Sequence, residues 1–213
     1  MSGNTLPPRS HGRGEVKINI AVLASGSGTN LQALIDTPDL GARIAVVISD
    51  RPEAAALARA ESAGIPTRVI DWGAFDSRAG FSAAIGAEIS AAEARGVVLA
   101  GFMRVLAPNL VGQHPNRMLN IHPSLLPAFP GANAVAQALQ HGVKVTGVTV
   151  HFVEDKVDQG PIIAQRAVPV LPDDDLTSLH ARIQTAEHDL YPVVVRAFAN
   201  GALTVEGRGV RWA

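Results

Sequence analysis

The stretch MLNIHPSLLPAFPG, from Met118 to Gly131, sets an amide and an imidazole, Asn120 and His122, two residues apart at the end of an apolar run. In an extended segment that spacing puts both side chains on one side, where an amide donor and a titratable ring can converge on one atom. Pro123 stops the run, and Pro127 and Pro130 stiffen the chain beyond it, as the wall of a pocket requires. His151, in GVTVHFV, is a further candidate, and so is Asp158, in EDKVDQGP. Taken singly, His151 reads equally as a structural histidine and Asp158 as a turn residue. Taken with Asn120 and His122 they make a site: a carboxylate next to an imidazole favours the charged ring and can relay a proton. An imidazolium and an amide donor can together hold an oxyanion. That is the chemistry of acyl transfer through a tetrahedral intermediate. No serine stands in a G-x-S-x-G elbow and the chain has no cysteine, so direct attack by an amine or a water is favoured over a covalent enzyme intermediate. No H-E-x-x-H pair is present, the histidines are scattered, and no metal is expected.

A second candidate site is LASGSGTNLQAL, which places Gly26 and Gly28 between an apolar run and a helix-spaced segment. Backbone amides at such a turn can hold an anion, with phosphate the natural guest. The same residues also read as a tight turn in which Ser27 or Thr29 caps the helix. The dinucleotide-binding pattern is weakened because its third small residue is Leu31, although Asp50 lies near the place of its ribose-binding acid. The Walker pattern fails because no lysine follows Gly28.

Both candidates need a frame to position them. VKINIAVLA, ARIAVVIS, PTRVIDW, GVVLAGF and RMLNIH read as strands. Between them, TNLQALIDT, PEAAALARAESAG and an alanine-rich stretch over 75–94 read as helices, while a proline-opened turn precedes RMLNIH. Strands alternating with helices at this spacing predict a doubly wound α/β fold with a mostly parallel sheet. A helix from Ala134 leads to VTGVTVHFV and PIIAQRAVPV, an antiparallel hairpin that makes the sheet mixed toward its C-terminal part. A final helix over 176–200 precedes a weak strand at 203–206. Ligands of open α/β sheets bind beyond the carboxyl ends of strands, which is where Asn120 and His122 fall.

Composition narrows the functions open to such a frame. The chain has 213 residues, with 18 Lys and Arg against 19 Asp and Glu, and the resulting charge of −1 offers no broad basic surface for nucleic acid. The absence of cysteine rules out disulfide scaffolds and fits a reducing cytoplasm. No apolar run approaches the roughly 18 residues needed to cross a bilayer. Residues 1–15, rich in Pro, Gly, Ser and Arg, are expected to form a disordered leader, with one domain over 16–213.

Five ordered motifs, LASGSGTNLQAL, VVLAGFMRVL, LNIHPSLLPAFPG, GVTVHFVEDKVDQGPII and QTAEHDLYP, closely resemble the phosphoribosylglycinamide formyltransferase family. That family moves a formyl group from 10-formyltetrahydrofolate to the amine of glycinamide ribonucleotide in purine synthesis. The resemblance implies that Asn120, His122 and Asp158 are catalytic and that His151 orients them. It assigns Gly26, Ser27, Gly28, Thr29 and Asn30 to the nucleotide's phosphate, and Glu187, with Gln184 close by, to its glycinamide end. It assigns Arg104, Val105 and Leu106 to the folate, with Glu154 and Asp155 beside the pterin. Arg78, in FDSR, is implied as an anion contact, though it also reads as an exposed helical arginine. Glu187 and Gln184 read equally as a solvated helix face, and GFMRVL as core, apart from Arg104, whose charged head must reach solvent or an anion. The implied partners are the two small substrates, without nucleic acid or membrane, and a homodimer stays open. After AFPG many relatives carry histidines, whereas ANAVAQAL stands here, and Asn133 with its neighbours is similar to formyltetrahydrofolate deformylase.

Three other functions compete. Deformylase would use the same residues with water as acceptor but usually adds an N-terminal regulatory domain. Methionyl-tRNA formyltransferase shares HPSLLP-like and DQGP-like motifs but needs a tRNA-contacting domain and a basic surface. A nucleotide-sensing module would keep the glycine loop without needing Asn120, His122 and Asp158 together.

Overall fold

The apolar runs become strands because their alternate residues are buried on opposite faces of one sheet. Ile20 and Val22 join one core with Val98 and Leu119. Ala21 and Leu23 join the other with Val97 and Met118. The computed structural model describes residues 17–213, so the expected leader lies outside the described residues. Five strands run parallel: β1 (Ile18–Leu23), β2 (Ala42–Ser49), β3 (Thr67–Val69), β4 (Gly96–Leu99) and β5 (Met118–His122). β6 (Val145–Phe152) pairs antiparallel with β5 and with β7 (Ile162–Pro169), and the sheet order is β3-β2-β1-β4-β5-β6-β7. The doubly wound mixed sheet is as predicted.

Helices cover both faces. α1 (Thr29–Ile35), α2 (Ala55–Ser62), α5 (Ala134–Gln140) and α6 (Leu176–Ala199) pack on one side through Leu31, Ala60, Val135 and Ile183. α3 (Arg78–Ala91) and α4 (Pro108–Gln113) pack on the other through Phe81, Ile85 and Leu110. Phe81 sits fully buried with its ring edge-on to Trp72 and Phe75. Truncating such a side chain to alanine costs about 3–5 kcal/mol. No helix among the described residues is long and apolar enough to cross a membrane.

Three elements differ from the sequence reading. The alanine-rich helix begins at Arg78 rather than at residue 75, because Ser77 caps it and a 3-10 turn at Trp72–Ala74 precedes it. The proline-opened turn before β5 is itself a helix, α4, with Pro108 in its first turn, where a missing N–H costs nothing. The weak last strand, β8 (Leu203–Glu206), has a partner, β9 (Gly209–Trp212), and this hairpin leans on β7 through a bond from Trp212 Nε1 to the Ile163 carbonyl.

Candidate active site

Sheet register assembles the first cluster. β4 and β5 end side by side with Leu99 opposite Asn120, and antiparallel β6 then sets His151 opposite Asn120 and Thr149 opposite His122. Asp158 arrives from the loop after β6, which folds back on its own strand at Gly160. A Cβ there would stand 1.8 Å from the Phe152 carbonyl oxygen, so only glycine allows the return.

Asp158 joins the other three polar side chains in one cluster. His122 Nδ1 lies 3.4 Å from Asp158 Oδ2, and His151 Nε2 lies 3.5 Å from Asp158 Oδ1. Asn120 Nδ2 stands 3.2 Å from His151 Nε2 and 3.5 Å from Asp158 Oδ1. The Gly131 amide donates to Asp158 Oδ2 at 2.7 Å. Nε2 of His122 donates to the Phe129 carbonyl at 2.8 Å, and Nδ1 of His151 donates to the Phe152 carbonyl at 2.8 Å. Both nitrogens of His122 therefore face oxygen atoms. Burial pushes the Asp158 carboxyl up, but the bond from His151, the Gly131 amide and the charges of His122 and His151 outweigh it, and the net shift is downward.

The backbone holding this cluster is strained. Phe129, Asn133 and Asp158 have φ of 53°, 62° and 55°, in the left-handed region that costs a non-glycine residue on the order of 1 kcal/mol or more. Hydrogen bonds hold the loop that carries Phe129. Thr149 Oγ1 donates to the Ser124 carbonyl and accepts from the Leu126 amide, while Gln165 Nε2 donates to the Leu126 carbonyl. The three prolines predict a stiff wall, and its anchor is Thr149 on β6.

A cavity of about 650 Å³ opens against the cluster. Arg104, Val105, Leu106, Glu154 and Asp155 are among the residues that line it. Met103, 67% exposed, and the exposed Val157 and Leu176 give its mouth an apolar rim that the sequence reading missed, along with His180. The sequence carries no signal for this rim, since exposure of Met103 and Val105 within GFMRVL follows only from the fold.

Arg104 reaches an anion inside the chain. Its Nε donates to Asp50 Oδ2 at 2.7 Å and its guanidinium stacks 5.1 Å over the Trp72 ring. Asp50 is thus occupied by Arg104 and, at 3.9 Å, by Arg51, rather than standing free to hold a ribose. Arg78 is exposed at the start of α3 and is not among the residues that line the cavity.

The glycine loop lies apart from the cavity lining. Gly28 is the N-cap of α1 in the left-handed conformation, φ 70°, and a Cβ on it would stand 2.6 Å from Ala56 Cα. Neither Ser27 nor Thr29 caps the helix, because the backbone turn at Gly28 takes that position. The first intrahelical bond joins the Gln32 amide to the Gly28 carbonyl, so the amides of Thr29 and Asn30 have no carbonyl below them. Gly26 has open space where a Cβ would go, while Arg59 Nε donates to the Ser27 carbonyl at 2.8 Å. Glu187 is buried, not part of a solvated face, and Oε2 accepts from Asn30 Nδ2 at 2.9 Å. Burial raises its carboxyl above the ordinary value, against the lowering effect of Asn30. Gln184, one turn earlier on α6, is half-buried.

A histidine, a carboxylate and an amide at the carboxyl edge of a doubly wound sheet, beside a glycine turn able to hold an anion, describe a group-transfer site, and the chain belongs to the formyl transferase family, whose profile matches residues 18–195. It is 46% identical over 189 residues to phosphoribosylglycinamide formyltransferase of Escherichia coli, covering 87% of this chain and 89% of that one. It is 47% identical over 196 residues to the human trifunctional purine biosynthetic protein adenosine-3, covering 91% of this chain but 19% of that protein, so the chain spans about a fifth of this longer relative. Among solved structures it superposes on glycinamide ribonucleotide transformylase 1 from Symbiobacterium toebii with a TM-score of 0.90 and 50% identity, covering 100% of this chain and 99% of the other. A formyltetrahydrofolate deformylase from Pseudomonas syringae is more distant in sequence, at 28% identity with a TM-score of 0.85 over 92% of this chain and 66% of its own.

Proposed function

We propose that this chain transfers the formyl group of 10-formyltetrahydrofolate to the amine of glycinamide ribonucleotide. The observation that carries the reading is the contact of Asn120, His122, His151 and Asp158 at the wall of a cavity of about 650 Å³. Two of the relatives named above, the phosphoribosylglycinamide formyltransferase of Escherichia coli and the glycinamide ribonucleotide transformylase of Symbiobacterium toebii, carry this activity in their names.

In this reading the folate occupies the cavity along Arg104 to Leu106 and the 154–158 loop, with its formyl carbon facing Asn120. The nucleotide's phosphate rests on the amides of Gly28, Thr29 and Asn30, and Glu187 and Gln184 contact the rest of it. Its amine attacks the formyl carbon. The carbonyl oxygen, now an oxyanion, accepts from Asn120 Nδ2 and from the His122 ring, whose proton turns away from the Phe129 carbonyl. The amine loses its proton to the Asp158 carboxylate, the bond from the formyl carbon to the folate nitrogen breaks, and Asp158 returns that proton to the folate nitrogen as tetrahydrofolate leaves. His151 holds the carboxylate and the amide in register.

The test is to incubate the protein with 10-formyltetrahydrofolate, with and without glycinamide ribonucleotide, and to follow the folate absorbance. Change only in the presence of the nucleotide supports transfer. Release of formate without it supports the deformylase, and no change in either mixture rejects both.

A further inference from the structure

Directly behind the catalytic strand lies a group that the mechanism above does not use. Tyr191, on α6, is fully buried, and its hydroxyl stands 2.8 Å from the Leu99 carbonyl and 3.2 Å from the Leu119 carbonyl. A phenol has one proton to give, so that proton is shared between the ends of two adjacent strands, β4 and β5. Leu99 is the register partner of Asn120, and Leu119 is its neighbour in the chain. Leu119 belongs to the core on the α6 side of the sheet, so Asn120 projects from the opposite face, toward the cavity. The hydroxyl thus fixes, from the reverse side, the peptide from which the amide donor extends.

We infer that Tyr191 is a positioning residue for the transfer reaction, acting through Asn120. The inference rests on the reading of Asn120 as an oxyanion donor. One turn earlier on the same helix, Glu187 takes the Asn30 amide, so α6 grips the glycine loop and the catalytic strand with two side chains four residues apart. The spacing between the place of the nucleophile and the place of the oxyanion is therefore set by one rigid element. Misplacement of a reacting group by about 1 Å costs up to roughly a hundredfold in rate, and a lost hydroxyl bond permits a fraction of that movement. Burial also pushes the Tyr191 phenol well above its ordinary range, aided by the nearby Glu187, so the hydroxyl keeps its proton at any working pH.

The test is Tyr191→Phe, which removes one oxygen and keeps the ring. Expected is a fall in kcat of about tenfold with both KM values within about twofold of the parent, at a temperature where both proteins are folded. In the Asn120→Ala background the same substitution should change kcat by less than about twofold, since the group it positions is gone. An unchanged kcat in the single variant, or an equal loss in both backgrounds, overturns the inference. A second measurement covers a variant that does not fold. The chain contains one tyrosine, so growth on 3-fluorotyrosine labels this position alone. Its fluorine resonance should move on Asn120→Ala and stay in place on Asn133→Ala, and a resonance that ignores Asn120→Ala also overturns the inference. Absence of transfer by the parent rejects the functional reading alone, because the fluorine measurement needs no turnover.

Discussion

The two halves of the site are built on opposite plans. Around Asp158 nearly every polar atom has a partner within the protein: two imidazoles, an amide side chain and the Gly131 amide converge on one carboxylate. At the glycine loop the helix-start amides lack intrahelical acceptors, and Asn30 Oδ1 is buried with no partner among the described residues. The first arrangement tunes protons among its own members and spends backbone strain to hold them. The second leaves its donors and acceptors for something else to satisfy, as a binding surface does. In the function proposed above, catalysis and grip are separated along one sheet edge, and substitutions in the two regions should fail differently.

The sharpest break is expected in the first region. His122→Ala and Asp158→Asn should each lower kcat by at least roughly a hundredfold while the proteins stay folded, as circular dichroism and turnover on the same samples will show. Normal turnover in either variant removes that residue from the mechanism. Gly160→Ala should come next, because its methyl would meet the Phe152 carbonyl and displace the Asp158 loop. Relief of such a clash costs about 1–3 kcal/mol, so thermal melting should show a loss together with a fall in kcat.

The second region should respond in binding and in pH. Asn30→Ala keeps the backbone amide but removes the unpartnered Oδ1 acceptor and the bond to Glu187, and it should raise KM for the nucleotide by about tenfold with kcat for saturating substrate nearly unchanged. An equal effect on the folate KM would place Asn30 wrongly. Glu187 has its folded pKa raised from 4.5, so the folded protein binds more protons than the unfolded chain and stability falls as pH rises through the window above 4.5. Melting temperatures of Glu187→Gln and the parent, compared across that window, should therefore shift in favour of the variant as pH increases. Asp158 behaves oppositely. Its stabilisation is complete above the ordinary value of 3.8 and is lost as pH falls through the lower folded value, so the advantage of the parent over Asp158→Asn should shrink only in acid.

The smallest effect should come from the far end of the cavity. Asp50→Asn weakens the charge that holds the Arg104 guanidinium against Trp72, and KM for the folate should rise by about twofold to fivefold with little change in kcat. A kcat effect comparable with that of Asp158→Asn would erase the distinction between the two regions.

Much of this was legible in the sequence. Continuous apolar runs alternating with helix-spaced segments set the layers, because burial on both faces of a parallel sheet leaves that pattern in the chain. Asn120 and His122 stood out because polar residues at the end of an apolar run need partners. Glu187 was ambiguous, since helical spacing gives its face but not what covers it. Arg104 was expected to seek an anion, but an internal one at Asp50, 54 residues away, left no local trace.

What the chain decided alone, then, is its period, its turns and the residue types able to do acid and base chemistry, because these depend on neighbours a few positions apart. Only the tertiary structure decided that Asp158 meets His122 and His151, that Thr149 anchors the proline loop and that Tyr191 backs the catalytic strand. Most of these contacts join segments distant in the chain, and strand register with a fold-back at one glycine brings them within reach.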